Sequence, residues 1–404
     1  MTPSDRRSFL AQTAGALAGI SILPELVGAE PFRISAPVTV GIIGVGRQGR
    51  AIITELQKLP DVTIAAVCDT SPTRLTLAGE RAAGAATLAD YRQLLARPDI
   101  SAVILATPTH LHRDIAQAAI AAGRHLYIES PLAHTTEDCQ AIARSAAGVP
   151  TVVQVGFQGR SNPVYQRAKP LFRSELRETV SLSAQYHRKT SWRFPAPDPG
   201  TAQATNWRLD PAVSTGLAGE IGAQQFDVAA WYREELPIRV AGRGAIRLHH
   251  DGREIADTIA VDLTWADGVA LHYAATLANS YGGQFETFHG INGALKLAWS
   301  HGWLFKEVDA PSQGWEVYAT RQQFFQDEGI ILVADATKLS AQGKLKEGIG
   351  LPHPSLYYAL ADFVRSVAEG TPVACTAADG ARSSIVGILA NQAVVTGRPV
   401  EISS

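Results

Sequence analysis

Three glycines and one aspartate carry the clearest chemistry in the chain. Gly44-Val45-Gly46-Arg47-Gln48-Gly49 follows the apolar run Val38-Thr39-Val40-Gly41-Ile42-Ile43, and Asp69 stands 25 residues beyond Gly44. Gly44 permits a tight turn, Gly46 lets a pyrophosphate approach the backbone amides, and Gly49 lets helix and strand pack closely. Arg47 and Gln48 belong to the same turn. The phosphates would rest on a helix N-terminus, whose free N–H groups point outward. A carboxylate at Asp69 would accept both ribose hydroxyls of NAD. That acid argues against a 2′-phosphate, although Arg47 and Arg50 leave NADP open. A glycine triplet alone is a weak signal; a strand before it and an acid after it make it a strong one.

The elements that must position these residues are legible in the hydrophobic pattern. A β-prone segment at 38–43, a helical run at 50–59 and a β-prone segment at 62–68 give strand, glycine turn, helix, strand and acid. The alternation continues with helices at 74–83 and 90–97, a strand at 101–106, a helix to 122 and a strand at 124–128. A helix opened by Thr135-Thr136-Glu137-Asp138 and a strand at 151–155 follow. The loops at Thr107 and Glu129 then belong to the C-terminal edge of a parallel sheet, beside the nucleotide crevice.

Beyond 156 the pattern changes. A helix at 161–172 and an alternating strand at 180–186 lead into 188–210, rich in Pro, Trp and Arg and read as a long loop on the substrate side. A helix at 219–231 and strands at 238–248, 259–265, 269–276, 285–289 and 294–300 follow, joined by short turns. A charge-tolerant stretch at 335–350 precedes helices at 355–368 and 377–396. The expected fold class is α/β: an N-terminal Rossmann domain, then an α+β domain with a large, mostly antiparallel open sheet. The expected divisions are 1–29, 36–156, 157–376 and a 377–404 helix and tail packing back on the fold.

Length and composition bound the partners. With 404 residues, 46% apolar and 18% charged, the chain can hold two domains with separate cores. A net charge of -2 gives no reason to expect nucleic acid or an acidic membrane. Cys68, Cys139 and Cys375 are too widely spaced for a metal or thiol-redox motif; the first two read as small buried hydrophobes. His249-His250 precedes the turn signal Asp251-Gly252 and is no metal site, so no metal is expected. At the N-terminus, Arg6-Arg7 precede Ser8-Phe9-Leu10, a weakly apolar run to Leu23, and Val27-Gly28-Ala29. Charged region, apolar region and small-residue cleavage site resemble a twin-arginine export signal cut after Ala29. Pro24 and Glu25 interrupt the run too early for a membrane anchor. The expected partner is the twin-arginine export machinery and the expected location the periplasm.

Several further stretches match one known pattern in order and spacing. They are Ala106-Thr107-Pro108-Thr109-His110-Leu111-His112, Glu129-Ser130-Pro131, Val155-Gly156-Phe157-Gln158-Gly159-Arg160 and Asn206-Trp207-Arg208. Gly219-Glu220-Ile221-Gly222-Ala223-Gln224-Gln225-Phe226-Asp227, Asn391-Gln392-Ala393-Val394-Val395 and Gly397-Arg398 complete the set. With the glycine turn, these make the chain resemble the glucose–fructose oxidoreductase / inositol dehydrogenase / MocA family over nearly everything after residue 36. The resemblance implies a Rossmann domain holding NAD(P), and a second domain whose open sheet carries substrate and often forms the interface of a homo-oligomer. It implies a sugar, cyclitol or derivative oxidised at a secondary alcohol. By the same resemblance Thr107 and Pro108 shape the nicotinamide side, Glu129 contacts the nicotinamide ribose, and His112 binds ribose or caps its helix. Arg160, Trp207 and Arg208 would line the pocket mouth, a Trp face suiting a sugar ring and Arg suiting hydroxyls.

The departures bear on catalysis. Ser130 stands where the family usually has a lysine near the substrate hydroxyl, and a serine supplies no cation. Glu220 and Gln224 occupy the positions of an acid and a histidine four residues apart, and Asp227 matches the family's acid three positions on, which by the resemblance would bind substrate. Glutamine orients a hydroxyl but exchanges no proton near neutral pH. Glu220 is the first candidate for a replacement acceptor; Tyr186 and His187, at a strand end, come next, then Tyr281 and His353. Export adds a constraint. Without a pool of free NAD, the cofactor must stay bound and be recycled within each cycle. Reduction of a second substrate achieves that, as does an NAD-dependent glycoside hydrolysis that oxidises transiently, eliminates, adds water and returns the hydride. The third alternative is a non-catalytic carbohydrate or nucleotide binder.

Overall fold

The computed structural model describes residues 32–314, 316, 321–324, 327–331 and 350–403. The expected export signal and all but the last residue of the stretch at 335–350 lie outside the described residues. The first layer is a six-stranded parallel sheet in the order β3-β2-β1-β4-β5-β6, formed by β1 (Val38–Ile43), β2 (Val62–Cys68), β3 (Ala86–Leu88), β4 (Ala102–Leu105), β5 (His125–Glu129) and β6 (Val153–Gly156). Between them run α1 (Arg47–Leu56), α2 (Pro72–Arg81), α3 (Tyr91–Leu95), α4 (His112–Ala121) and α5 (Thr136–Ala146). The order reverses between β1 and β4, so the strand ends there open into a crevice. α1 starts at Arg47, three residues before the expected helix, because the glycine turn is also its first turn. The three-residue β3 carries too short an apolar run to be read from sequence.

The second layer has ten strands in the order β14-β15-β13-β12-β11-β7-β10-β9-β8-β16. They are β7 (Thr179–His187), β8 (Arg239–Ala245), β9 (Thr258–Thr264), β10 (Ala270–Thr276), β11 (Gln284–Gly290), β12 (Gly293–Leu297), β13 (Gly302–Lys306), β14 (Arg321–Phe324), β15 (Asp327–Ile331) and β16 (Val400–Glu401). All neighbours are antiparallel except β7 and β10, which run parallel. Leu182, Ala184, Leu271, Tyr273, Phe288 and Leu295 point to one face and form its core. The helices α6 (Pro163–Leu176), α7 (Ala202–Thr205) and α8 (Ala223–Arg233), with a π-helical turn at Ala218–Gly222, complete this half of the chain.

Two C-terminal helices join the layers. α9 (Ser355–Glu369), expected with the second domain, instead lays Leu356, Leu360, Phe363 and Val364 on the nucleotide sheet beside Ile52, Ile53 and Leu56. α10 (Ala377–Thr396) has Ala377 and Ala381 in the nucleotide-sheet core and Val386, Ala390 and Ala393 in the ten-stranded core. Its small residues make this possible: a Cβ on Gly387 would come within 2.9 Å of Ala223 Cβ and 3.1 Å of Gly219 Cα. Thr376 opens it with a capping box to Asp379.

Inside the second core, the Tyr165 hydroxyl donates to Glu286, whose residue is 2% exposed. Burial pushes the Glu286 carboxyl up to about 7, against the lowering by the Tyr165 hydrogen bond. The folded state therefore keeps a proton that the unfolded chain sheds above its ordinary value of 4.5. Stability from this group is undiminished below that value, falls as pH rises towards about 7 and then levels off. Thermal melting followed from pH 4.5 to 7 should show a decline that is shallower in Glu286→Gln. An unchanged slope would mean that Glu286 is ionised in the core.

Candidate active site

The crevice is built from four strand ends of the nucleotide sheet, those of β1, β2, β4 and β5. After β1, Gly44 has φ +89°, and a Cβ there would lie 2.7 Å from Ala106 backbone atoms. A Cβ on Gly49 would lie 2.0 Å from the Gly44 carbonyl oxygen. Gly46 differs, since nothing lies within 4 Å of its Cβ position, and no side chain caps α1. Steric closeness demands two glycines for packing; the third leaves open space over uncapped helix amides, which fits a pyrophosphate. After β2, Asp69 accepts from the Val45 amide at 3.0 Å and the Ser71 amide at 2.9 Å, and Arg74 Nη1 is 3.9 Å away. Gln48 Nε2 donates to Glu129 Oε1 at 3.0 Å, joining the glycine turn to the end of β5. Thr107 Oγ1 is buried without a protein partner. The fit to a dinucleotide rests on these groups.

The opposite wall comes from the second half of the chain. Arg208 lays its guanidinium 4.4 Å from the Trp207 ring centroid and 5.9 Å from that of Trp192, while its Nε lies 3.6 Å from Glu220 Oε2. Glu220 also accepts from Thr109 Oγ1 at 3.2 Å and Thr215 Oγ1 at 2.9 Å. Burial raises the Glu220 carboxyl above its ordinary range, opposed by the Arg208 charge and the threonine hydrogen bonds. Burial likewise pushes Glu129 up to about 7, against Gln48, the Ser130 backbone and Arg208. His110 meets Trp207 edge-on at 5.9 Å and His134 at 6.1 Å. A polar, aromatic-walled cleft thus faces the nucleotide cradle, with one arginine acting on two buried carboxylates.

Several expected contacts are corrected. Gln224 donates both amide hydrogens internally, to Ser130 Oγ at 2.6 Å and Gly156 O at 2.9 Å, and accepts from the Gln158 amide at 3.2 Å. It positions Ser130, whose hydroxyl hydrogen is left to donate into the cleft. Asp227 has no exposed surface: Arg160 grips it at 2.8–3.1 Å, Ser383 Oγ donates at 2.6 Å, and Arg160 also lies 3.5 Å from Asp379. Arg160 and Asp227 therefore tie α8 to α10 rather than line the pocket mouth. His112 turns its ring nitrogens to Leu132 O at 3.2 Å and Thr107 O at 3.0 Å, and burial pushes its pKa down to about 4. It staples two crevice loops and leaves the ribose to other groups.

The strand end divides Tyr186 from His187. Tyr186 shares the face of Leu182 and Ala184 and packs against the core; His187 points to the other face, with Nδ1 2.9 Å from Tyr281 O. Strand periodicity lets only one of two adjacent residues face the helices. Tyr281 is 88% exposed and His353 stacks on Tyr357, so neither enters the crevice. The i, i+4 spacing of Glu220 and Gln224 is interrupted by the π-helical turn at Ala218–Gly222, which turns Glu220 towards Thr109 and Gln224 towards Ser130. Thr109, Thr215, His110 and His134 were not singled out from sequence, because single polar residues carry no spacing signal. Among the described residues no group of three or more His, Cys, Asp or Glu is placed to hold a metal.

Residues 38–157 match a family model described as the GFO_IDH_MocA oxidoreductase family, NAD-binding Rossmann fold, and residues 180–296 match that of the GFO/IDH/MocA C-terminal domain. An inositol 2-dehydrogenase of Acidothermus cellulolyticus is 30% identical over 268 residues, covering 65% of this chain and 73% of that protein. A glycosyl hydrolase family 109 protein of Shewanella amazonensis is 34% identical over 162 residues, covering 34% of this chain and 36% of that protein. A levoglucosan dehydrogenase solved with NADH and levoglucosan superposes with a TM-score of 0.72 at 21% identity, over 91% of this chain and 100% of the other.

The steric difference among the glycines predicts separable effects. Gly46→Val should fold with near-normal melting yet lose dinucleotide uptake, whereas Gly49→Ala should lose about 1–3 kcal/mol of stability through overpacking. Calorimetry of both, with and without NAD, checks this; equal melting losses would refute the division. Asp227→Ala should cost about 3–5 kcal/mol, because it strips a buried cation of its partner. A loss of activity with unchanged unfolding free energy would instead return Asp227 to the substrate site.

Proposed function

Because the chain belongs to the GFO/IDH/MocA oxidoreductase family, we propose that it is an NAD-dependent oxidoreductase acting on a secondary alcohol of a sugar, glycoside or cyclitol. One observation carries the reading: the glycine cradle and Asp69 face an Arg208–Trp207 wall flanked by the buried carboxylates Glu129 and Glu220. Trp207, buried beneath Arg208, holds the guanidinium in place, and a guanidinium with cleft hydroxyls suits a polyol. The inositol 2-dehydrogenase and the levoglucosan-bound relative support that substrate class.

When bound, NAD supplies the hydride acceptor for the carbinol carbon. The protein must take the hydroxyl proton and orient the ring. Glu220 is committed to Thr109, Thr215 and Arg208, so it positions Arg208 rather than meeting the substrate. Glu129 has one side-chain donor, Gln48, and a pKa of about 7, which suits a base at neutral pH. We infer that Glu129 accepts the proton and that the Ser130 hydroxyl, oriented by Gln224, holds the substrate oxygen. Glu129 must be ionised for this role, so the rate should fall as pH drops through about 7.

A second reading is redox-assisted glycoside cleavage, favoured by the similarity to the glycosyl hydrolase family 109 protein. Both readings suit a cofactor recycled without release, which accords with the export signal proposed from Arg6-Arg7; cell fractionation tests that location. The deciding experiment denatures protein purified without added nucleotide to identify released NAD, then offers intact enzyme sugars, cyclitols and aryl glycosides. Net oxidation supports the oxidoreductase, and a cleaved glycoside at unchanged oxidation level supports the hydrolase. Neither product with any substrate would overturn both and leave a binding role. Glu129→Gln should lower kcat about 10²–10⁴-fold and remove the acid limb of the pH profile. A retained limb would exclude Glu129 as the base.

A further inference from the structure

The loop at 188–210 does not stay on the substrate side. Its middle crosses to the nucleotide domain and settles at the start of α2, two residues beyond Asp69. Asp198 is the point of contact. Its carboxylate accepts from the Ser71 hydroxyl, from the Thr73 hydroxyl at 2.5 Å and from the Thr73 amide at 3.3 Å. The turn that presents it is closed by Thr201, whose hydroxyl donates to the Asp198 carbonyl at 2.7 Å and whose amide does so at 3.2 Å. Behind Asp198 the loop is clasped on itself: the Phe194 amide donates to Asn206 Oδ1 at 2.7 Å, and Asn206 Nδ2 returns a bond to Phe194 O at 3.0 Å. Phe194 meets the glycine-turn Arg47, the guanidinium carbon lying 5.5 Å from its ring centroid. Arg74 reaches out from α2 to donate to Thr205 Oγ1 at 3.0 Å.

We propose that Asp198 is a determinant of NAD over NADP, occupying with its own carboxylate the anion position that an adenosine 2′-phosphate would need, and latching this loop over the adenosine half of the cofactor. The inference rests on the NAD-dependent reading above. A ribose with a 2′-phosphate requires an anion-accepting place beside the acid that ends β2, and a cation to pair with it. Ser71, Thr73 and the first amides of α2 are such donors, and they are filled from within the chain. Arg74, the neighbouring cation, is drawn between Asp69 and Thr205. A phosphate arriving there would meet two carboxylates, Asp69 and Asp198, and would lose the donors to the second. A free 2′-hydroxyl meets no such conflict and can donate to Asp69. The latch also closes a ring of contacts, from Arg47 through Phe194 to Asp198 and Ser71, across the side by which adenosine would leave.

The test uses full-length protein freed of nucleotide and titrated separately with NAD and NADP, followed by quenching of tryptophan fluorescence, with NAD release timed by stopped flow. Asp198→Ala vacates the position, and Asp198→Asn keeps its shape without the charge. Both should shift the NADP-to-NAD affinity ratio towards NADP by about tenfold or more, the scale of one charge-assisted contact. Asp198→Ala should also release NAD several-fold faster, and Asp198→Glu should restore the preference for NAD. Wild-type NAD binding with a ratio unchanged in either variant overturns the proposal and leaves the oxidoreductase reading standing. A wild-type protein that binds neither dinucleotide overturns that reading and this proposal together.

Discussion

The buried ion pair between Arg160 and Asp227 is the constraint from which the site's geometry follows. Asp227 is wholly enclosed, held by a bidentate guanidinium and by Ser383, and Arg160 reaches on to Asp379. Three elements meet there: the turn after β6, the helix α8 of the second half, and the N-terminal part of α10. A buried charge without its partner is costly, so the three move as one body or the pair is broken. Since α10 lies in both cores, this knot sets the distance between the strand ends of one sheet and the helix carrying Glu220 and Gln224 above the other.

That fixed distance explains how two unusual residues fit. Gln224 hydrogen-bonds Ser130 and, through its second amide hydrogen, braces the end of β6. Glu129 and Glu220 are both buried, both raised by that burial, and both partly restrained by Arg208. Arg208, placed by Trp207 and Glu220, lowers both carboxyls against the burial that raises them, more at Glu220 than at Glu129.

The long loop between β7 and α8 links substrate side and nucleotide side in one chain segment. Its far end supplies the Trp207–Arg208 wall, and its middle reaches Ser71 and Thr73 through Asp198. A single segment thus touches both halves of the crevice.

The nucleotide half is legible in the chain alone. Glycine spacing, hydrophobic periodicity and the acid after β2 are local properties, and each maps to one turn or one strand; β2 and the span of α10 coincide with their expected limits. Only the tertiary structure decided what the remaining polar residues do, because burial and partnership join residues far apart in the chain. Asp227 reads as a site acid until Arg160 and Ser383 enclose it, and His112 as a ribose ligand until two backbone carbonyls claim its nitrogens. Asp198 reads as an ordinary loop residue until the loop crosses 125 positions of sequence to meet Thr73. Side-chain type is written locally, but which groups are desolvated, paired or left free depends on the packing of distant elements, and reactivity follows from that.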